Sequence, residues 1–160
     1  MTALALTLAL ALGGADSLAK QTLGGLTFKA PTQWEKTQPD DHSLTWADST
    51  SGAELAVTVF PVDPQRPAKT CVNQMVEALG TEGFTALTLG AQPASKKVTT
   101  DFVGEGGEEA KTDANKVTTT SIVGCNGKTK WVLTWTSKTA QGARFGPILK
   151  RVMDSIGYGK

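Results

Sequence analysis

A single histidine, His42, serves a chain of 160 residues, and that scarcity removes most metal and acid–base schemes. No Gly-x-Ser-x-Gly elbow occurs, and with no second histidine a hydrolase triad has nothing to stand on. Cysteine is equally sparse, Cys71 and Cys125 alone, and the absence of Cys-x-x-Cys spacing argues against a redox-active pair. No charge sign dominates. The formal net charge is +1, which gives no push toward nucleic acid or an anionic membrane. No apolar run reaches bilayer length, since the stretch from Ala3 to Leu12 is only about half of the roughly 20 residues a spanning helix needs. There is no phosphate loop either. Gly104-Glu105-Gly106-Gly107-Glu108-Glu109 is glycine-rich, but its three glutamates repel phosphate. It reads as a mobile hairpin loop, with calcium binding as the weaker alternative.

What is present begins with that apolar run. It is followed by Gly13-Gly14 and small residues, and Ser17 and Ala19 match the small-residue pattern of a signal-peptidase site. The pattern predicts a signal peptide over residues 1–19, a single domain over residues 20–160, and a periplasmic or secreted product with no transmembrane segment in the mature chain. The departure is a missing basic n-region, because no Lys or Arg precedes Lys20. The alternative is an apolar N-terminal helix of the fold. No cysteine follows the run, so nothing here supports a lipid anchor.

With 17 glycines and many threonines, the remainder leans toward β structure. Lys20 to Gly25 reads as a linker. Strands are expected at Leu26–Ala30, Leu44–Asp48 and Glu54–Val62, the last apolar on both faces and therefore in need of cover on both. Cys71, Met75 and Leu79, with Val72 and Val76 beside them, predict a helix over Thr70–Gly80. Weaker strands follow at Thr85–Leu89 and Lys97–Val103. Phe145, Ile148, Leu149, Val152 and Ile156 form one stripe of a final helix, Arg144–Ile156. Three strands, a helix, four strands and a helix predict an antiparallel α+β sandwich.

The centre is Val117 to Ser137, where Asn126-Gly127 separates two β-rich runs. That dipeptide predicts a two-residue type I′ hairpin with Cys125 opposite Lys128 and Ile122 opposite Trp131. Ile122, Thr120 and Thr118 then share a face with Trp131, Leu133 and Trp135. The four tryptophans at 34, 46, 131 and 135 fit a core better than a stacking platform. Beside an export signal, two cysteines favour a Cys71–Cys125 disulfide over two buried thiols. Asp40-Asp41-His42 reads as a solvated turn, a weak divalent-ion motif being the alternative. Lys111 to the end carries nine basic and two acidic residues, whereas Lys20 to Ala110 carries seven and twelve. Either a basic face results, or the halves interleave in one sheet.

Phe28-x-x-Pro31-x-x-Trp34, Leu44-x-Trp46, Gly52 and Val57-x-Val59 resemble the PsbP-like fold family. Trp131 to Thr136, Phe145 and the closing Asp154-Ser155-Ile156 agree. The resemblance covers nearly all of the chain after the signal segment, and points to the bacterial exported, DcrB-like branch rather than the photosystem branch. It implies a three-layer α/β/α sandwich with a central, mainly antiparallel sheet, and a mostly non-catalytic role. No functional-residue motif matches, so no site residue or cofactor is carried over. The expected function is an exported, non-enzymatic binding or assembly protein of the cell envelope whose partner is another envelope protein. The alternatives are a carrier of a small apolar ligand or lipid and, behind it, a hydrolase with an unrecognised site. Lys150 and Arg151, outward on the last helix, form the expected partner surface; basic residues near a helix C-terminus also complement its dipole.

Overall fold

The structure, a computed structural model, describes residues 17–104 and 111–159. The expected signal peptide up to Asp16 and the Glu105–Glu109 segment lie outside the described residues. Ten strands and two α-helices are described. A large antiparallel sheet of seven strands runs β3-β4-β5-β9-β8-β7-β6, from β3 (Glu35–Asp40), β4 (Ser43–Asp48) and β5 (Ala53–Pro61) to β9 (Thr129–Lys138), β8 (Lys116–Cys125), β7 (Gln92–Phe102) and β6 (Thr85–Leu89). A smaller sheet runs β1-β2-β10, from β1 (Leu18–Leu23), β2 (Leu26–Pro31) and β10 (Gly157–Tyr158). The helices are α1 (Ala68–Leu79) and α2 (Gly142–Asp154). Neither is long and apolar enough to cross a membrane.

Three strands depart from the expected order. The supposed linker is part of β1, which pairs with β2 around Gly24-Gly25; both glycines have φ > 0 (50° and 86°), as a two-residue hairpin turn requires. β3 reads EKTQPD and is exposed at every residue, so it has no apolar alternation to detect. Its charges and Pro39 suit a sheet edge, which must discourage pairing with other chains. β10 is two residues long.

The central hairpin keeps its faces but not its register. Cys125 pairs with Lys130, not Lys128, and Ile122 with Leu133, not Trp131. The slip is two residues, which preserves side-chain parity. The loop is longer because other chain segments dock on it. Val62 N–H donates to the Lys128 carbonyl (2.8 Å) and Arg66 N–H to that of Gly127 (3.3 Å). The Asn126 side chain accepts from the N–H groups of Lys128 (3.0 Å) and Thr129 (2.8 Å).

Each face of the large sheet carries its own cluster. On one, Ile122, Trp131, Leu133 and Trp135 join Leu55, Val57 and Trp46 beneath Phe145, Ile148 and Val152 of α2 and Leu26 and Phe28 of β2. The α2 stripe is buried as expected, except that Leu149 is half-buried. On the other face, Val123 and Cys125 pack against Cys71 and Val72 of α1, with Met75, Val76 and Val132 partly buried. Here two expectations fail. Leu79 leaves the helix stripe and is 53% exposed, and Phe60 of β5 is 42% exposed. The helix packs chiefly over β7 and β8, so it leaves the β5 side of this face partly open. The two charge halves interleave, since β8 and β9 lie between β5 and β7.

Candidate functional site

Burial of Phe145, Ile148 and Val152 fixes the rotation of α2 and leaves Lys150 and Arg151 exposed. Lys150 pairs with Asp154 one turn on, both side chains well exposed, and such a pair contributes about 0.3–0.5 kcal/mol. Arg151 lines a cleft of about 500 Å³ between the end of α2 and the β1–β2 hairpin. The hairpin supplies two more cations. Lys20 and Lys29 are direct cross-strand partners, so both project from its exposed face. Like charges at such positions are destabilising. Neither β1 (LAKQTL) nor β2 (LTFKAP) contains a carboxylate to relieve them.

Ser155 ties the two walls together. Its hydroxyl accepts from Lys29 N–H (2.7 Å) and donates to the Val152 carbonyl (2.6 Å), joining β2 to the end of the helix. Among the described residues the lining holds three cations, of which Arg151 already has an interaction of its own, and one carboxylate, Asp154, which Lys150 engages. A concavity of this charge suits a carboxylate- or phosphate-bearing partner. The periodicity of α2 identifies Arg151, but Lys20 and Lys29 emerge only from the β1–β2 register, for which Gly24-Gly25 was the available signal.

The other singled-out residues are structural. Cys71 and Cys125 form a disulfide with Cα atoms 6.1 Å apart, tying α1 to the end of β8. All four tryptophans are buried. Trp34, Trp135 and Phe145 form a cluster with ring centroids 5.0–6.0 Å apart. His42 lies in the β3–β4 turn, its N–H bonded to Asp40 Oδ1 (2.8 Å), and its ring is 5.8 Å from that of Phe60. Among the described residues no three His, Cys, Asp or Glu side chains are grouped to hold a metal ion. The Asp48 carboxyl is held below its ordinary range, chiefly by the Ser51 hydroxyl (2.6 Å), with further help from the Thr50 N–H and from Arg144 (3.5 Å). Burial raises the Tyr158 phenol, and the bond from Trp131 Nε1 (2.8 Å) opposes that in part.

A second concavity, of about 330 Å³, runs between α1 and the adjacent ends of β5 and β9. Phe60, Val62, Met75, Leu79 and Val132 line it, with Arg66, Lys130 and Asp63 as its charged groups.

No protein-family model and no curated protein matches the sequence. Several solved structures are similar in fold. A protein from Bacteroides thetaiotaomicron aligns over 85% of this chain with a TM-score of 0.61 and 12% identity. This chain spans only 46% of that protein's length. The cyanobacterial PsbP, CyanoP, of Synechocystis sp. PCC 6803 aligns over 92% of this chain and 95% of its own, with a TM-score of 0.61 and 12% identity. The Saccharomyces cerevisiae Ran-binding protein Mog1p aligns over 89% and 96%, with a TM-score of 0.55 and 11% identity. At such identities the likeness is one of fold, and the chain has a PsbP-like fold.

Proposed function

We propose that this chain is an exported, non-enzymatic binding or assembly protein of the bacterial cell envelope, and that its basic cleft and α2 face engage an acidic segment of another envelope protein. The observation that carries the reading is the convergence of Lys20, Lys29 and Arg151 on one cleft beside Lys150. Charge complementarity of that kind chiefly accelerates association and weakens with salt. A neighbour in fold, Mog1p, is a Ran-binding protein, which supports a protein-binding role at the level of architecture. The disulfide is compatible with a periplasmic or secreted location. We read the helices on opposite sheet faces as a three-layer α/β/α sandwich, and place the chain with the bacterial DcrB-like branch of the fold. The sole histidine is not among the residues that line the cleft, which favours binding over catalysis.

Affinity capture from the organism's own envelope fraction tests this. Wild type is compared with the double reversal Lys150→Glu/Arg151→Glu, whose exposed positions leave folding intact. Capture of an acidic partner should fall at least about tenfold in the variant and decline with salt in the wild type. Equal capture by both proteins at low and moderate salt overturns the proposal. A second reading, a carrier of a small apolar ligand or lipid, is favoured by the groove beside α1.

A further inference from the structure

We infer that the groove between α1 and the adjacent ends of β5 and β9 binds a single-chain amphiphile with an anionic head, its chain against Phe60, Met75 and Leu79 and its head at Arg66 and Lys130. The inference rests on the carrier reading and names its ligand. Two of the five exposed large hydrophobic side chains among the described residues, Phe60 and Leu79, meet at this one groove from different elements. Exposed apolar side chains that converge in a concavity mark a binding surface rather than scattered surface hydrophobics.

The walls are preformed. The Cys71–Cys125 disulfide fixes α1 to β8, and Cys71 itself belongs to the lining. Arg66 is oriented by Gln74 Oε1 and by the Pro64 carbonyl (3.4 Å). Lys130 lines the groove from β9, so among the described residues of the lining two cations face one carboxylate, Asp63. The flexible thioether of Met75 can adjust to chains of slightly different shape. A volume of about 330 Å³ lies at the lower end of ligand pockets, which suits one chain rather than several.

The test is calorimetric titration of the purified protein with dodecanoate, dodecyltrimethylammonium and dodecyl maltoside, each below its micelle concentration. Dodecanoate should bind saturably at one site and at least tenfold more tightly than the cationic chain. Met75→Trp, which fills the groove, should abolish binding with the melting temperature and disulfide retained. If that variant fails to fold, Leu79→Asp, at an exposed position, gives the same readout. Arg66→Glu/Lys130→Glu should reverse the preference between the two charged chains. Equal affinity for all three chains would overturn the anionic head while leaving the carrier reading standing. Binding unchanged by Met75→Trp or Leu79→Asp would overturn the site. No saturable binding of any chain would overturn both.

Discussion

Gly124 lacks a side chain because Trp131 occupies its space. A Cβ built there would lie 2.2 Å from Cζ2 and 2.4 Å from Cε2 of the indole. The two residues are direct cross-strand partners. The indole is fully buried, and its Nε1 donates to the Tyr158 hydroxyl, so β10 is fastened over the same spot. Gly124→Ala should therefore cost about 3 kcal/mol, the upper end of ordinary overpacking. Trp131→Ala should cost about 3–5 kcal/mol, as large-to-small changes of buried aromatics do. The two costs should not add: with the indole gone, the new methyl meets a cavity, and Gly124→Ala should become close to neutral. Denaturant midpoints of the double-mutant cycle measure this. An additive cycle would mean that the indole shifts away from Gly124 without cost.

Among the elements, those with strong apolar periodicity were legible and those without it were not. The α2 stripe sets the helix rotation, and so Arg151 could be placed from sequence alone. β4 alternates clearly, β5 is a β-rich run apolar on both faces, and both lie close to where they were expected. β3 has no apolar residue, and nothing in a local pattern distinguishes an all-polar edge strand from a loop. β1 is masked differently, since it directly follows an apolar run and small residues that read as an export signal. With β1 missed, the Lys20–Lys29 pair was missed too, and with it most of the basic cleft. Turn chemistry misled in one more place. Asn126-Gly127 was the strongest hairpin signal, yet only Gly127 of the two has φ > 0 (91°), because the docked β5–α1 segment stretches the loop. Two-residue turns with φ > 0 at both positions occur instead at Gly24-Gly25 and at Gly90-Ala91 (57° and 61°), the latter with the weaker sequence signal. The cysteine pairing was legible only beside the export signal: two cysteines allow one intramolecular pair, but two buried thiols were the alternative, and the structure has the bridge. The bridge closes a loop across a sequence separation of 54. Loop-closure entropy gives an upper bound of about 4 kcal/mol for its contribution. Cys71→Ala/Cys125→Ala should lower stability by up to that amount, and α1 should loosen first, since the bridge is its covalent tie to the sheet. Hydrogen exchange with no selective loss of protection in Ala68–Leu79 would refute that order.

On the scale of the whole molecule, the asymmetry of cover decides where binding can occur. One face of the large sheet is closed by α2 and the small sheet, while the other is only partly closed by α1. The basic cleft lies where α2 meets the small sheet, and the apolar groove lies where α1 stops short of β5. Both concavities therefore arise at the margins of the cover, and neither cuts into the main core.

The same arrangement bears on export, because the expected mature start falls inside a strand. Cleavage after Ala19 would remove the pairs Leu18–Pro31 and Ala19–Ala30, together with the bond from Thr32 N–H to the Ser17 carbonyl (2.9 Å). It would leave Lys20–Leu23 paired with Leu26–Lys29 around the Gly24-Gly25 turn. The new α-amino group would then sit on Lys20, adding a positive charge at the mouth of the basic cleft. Intact-mass analysis of the protein isolated from its envelope or medium should place the first residue near Lys20, with the Cys71–Cys125 bridge formed. A chain retaining Met1, or two alkylatable thiols in freshly isolated protein, would remove the argument for export, since the compartment is inferred from the leader and the bridge together. A processed start should also strengthen capture of an acidic partner relative to a form that begins at Ser17, and that difference should disappear at high salt, where exposed charges are screened.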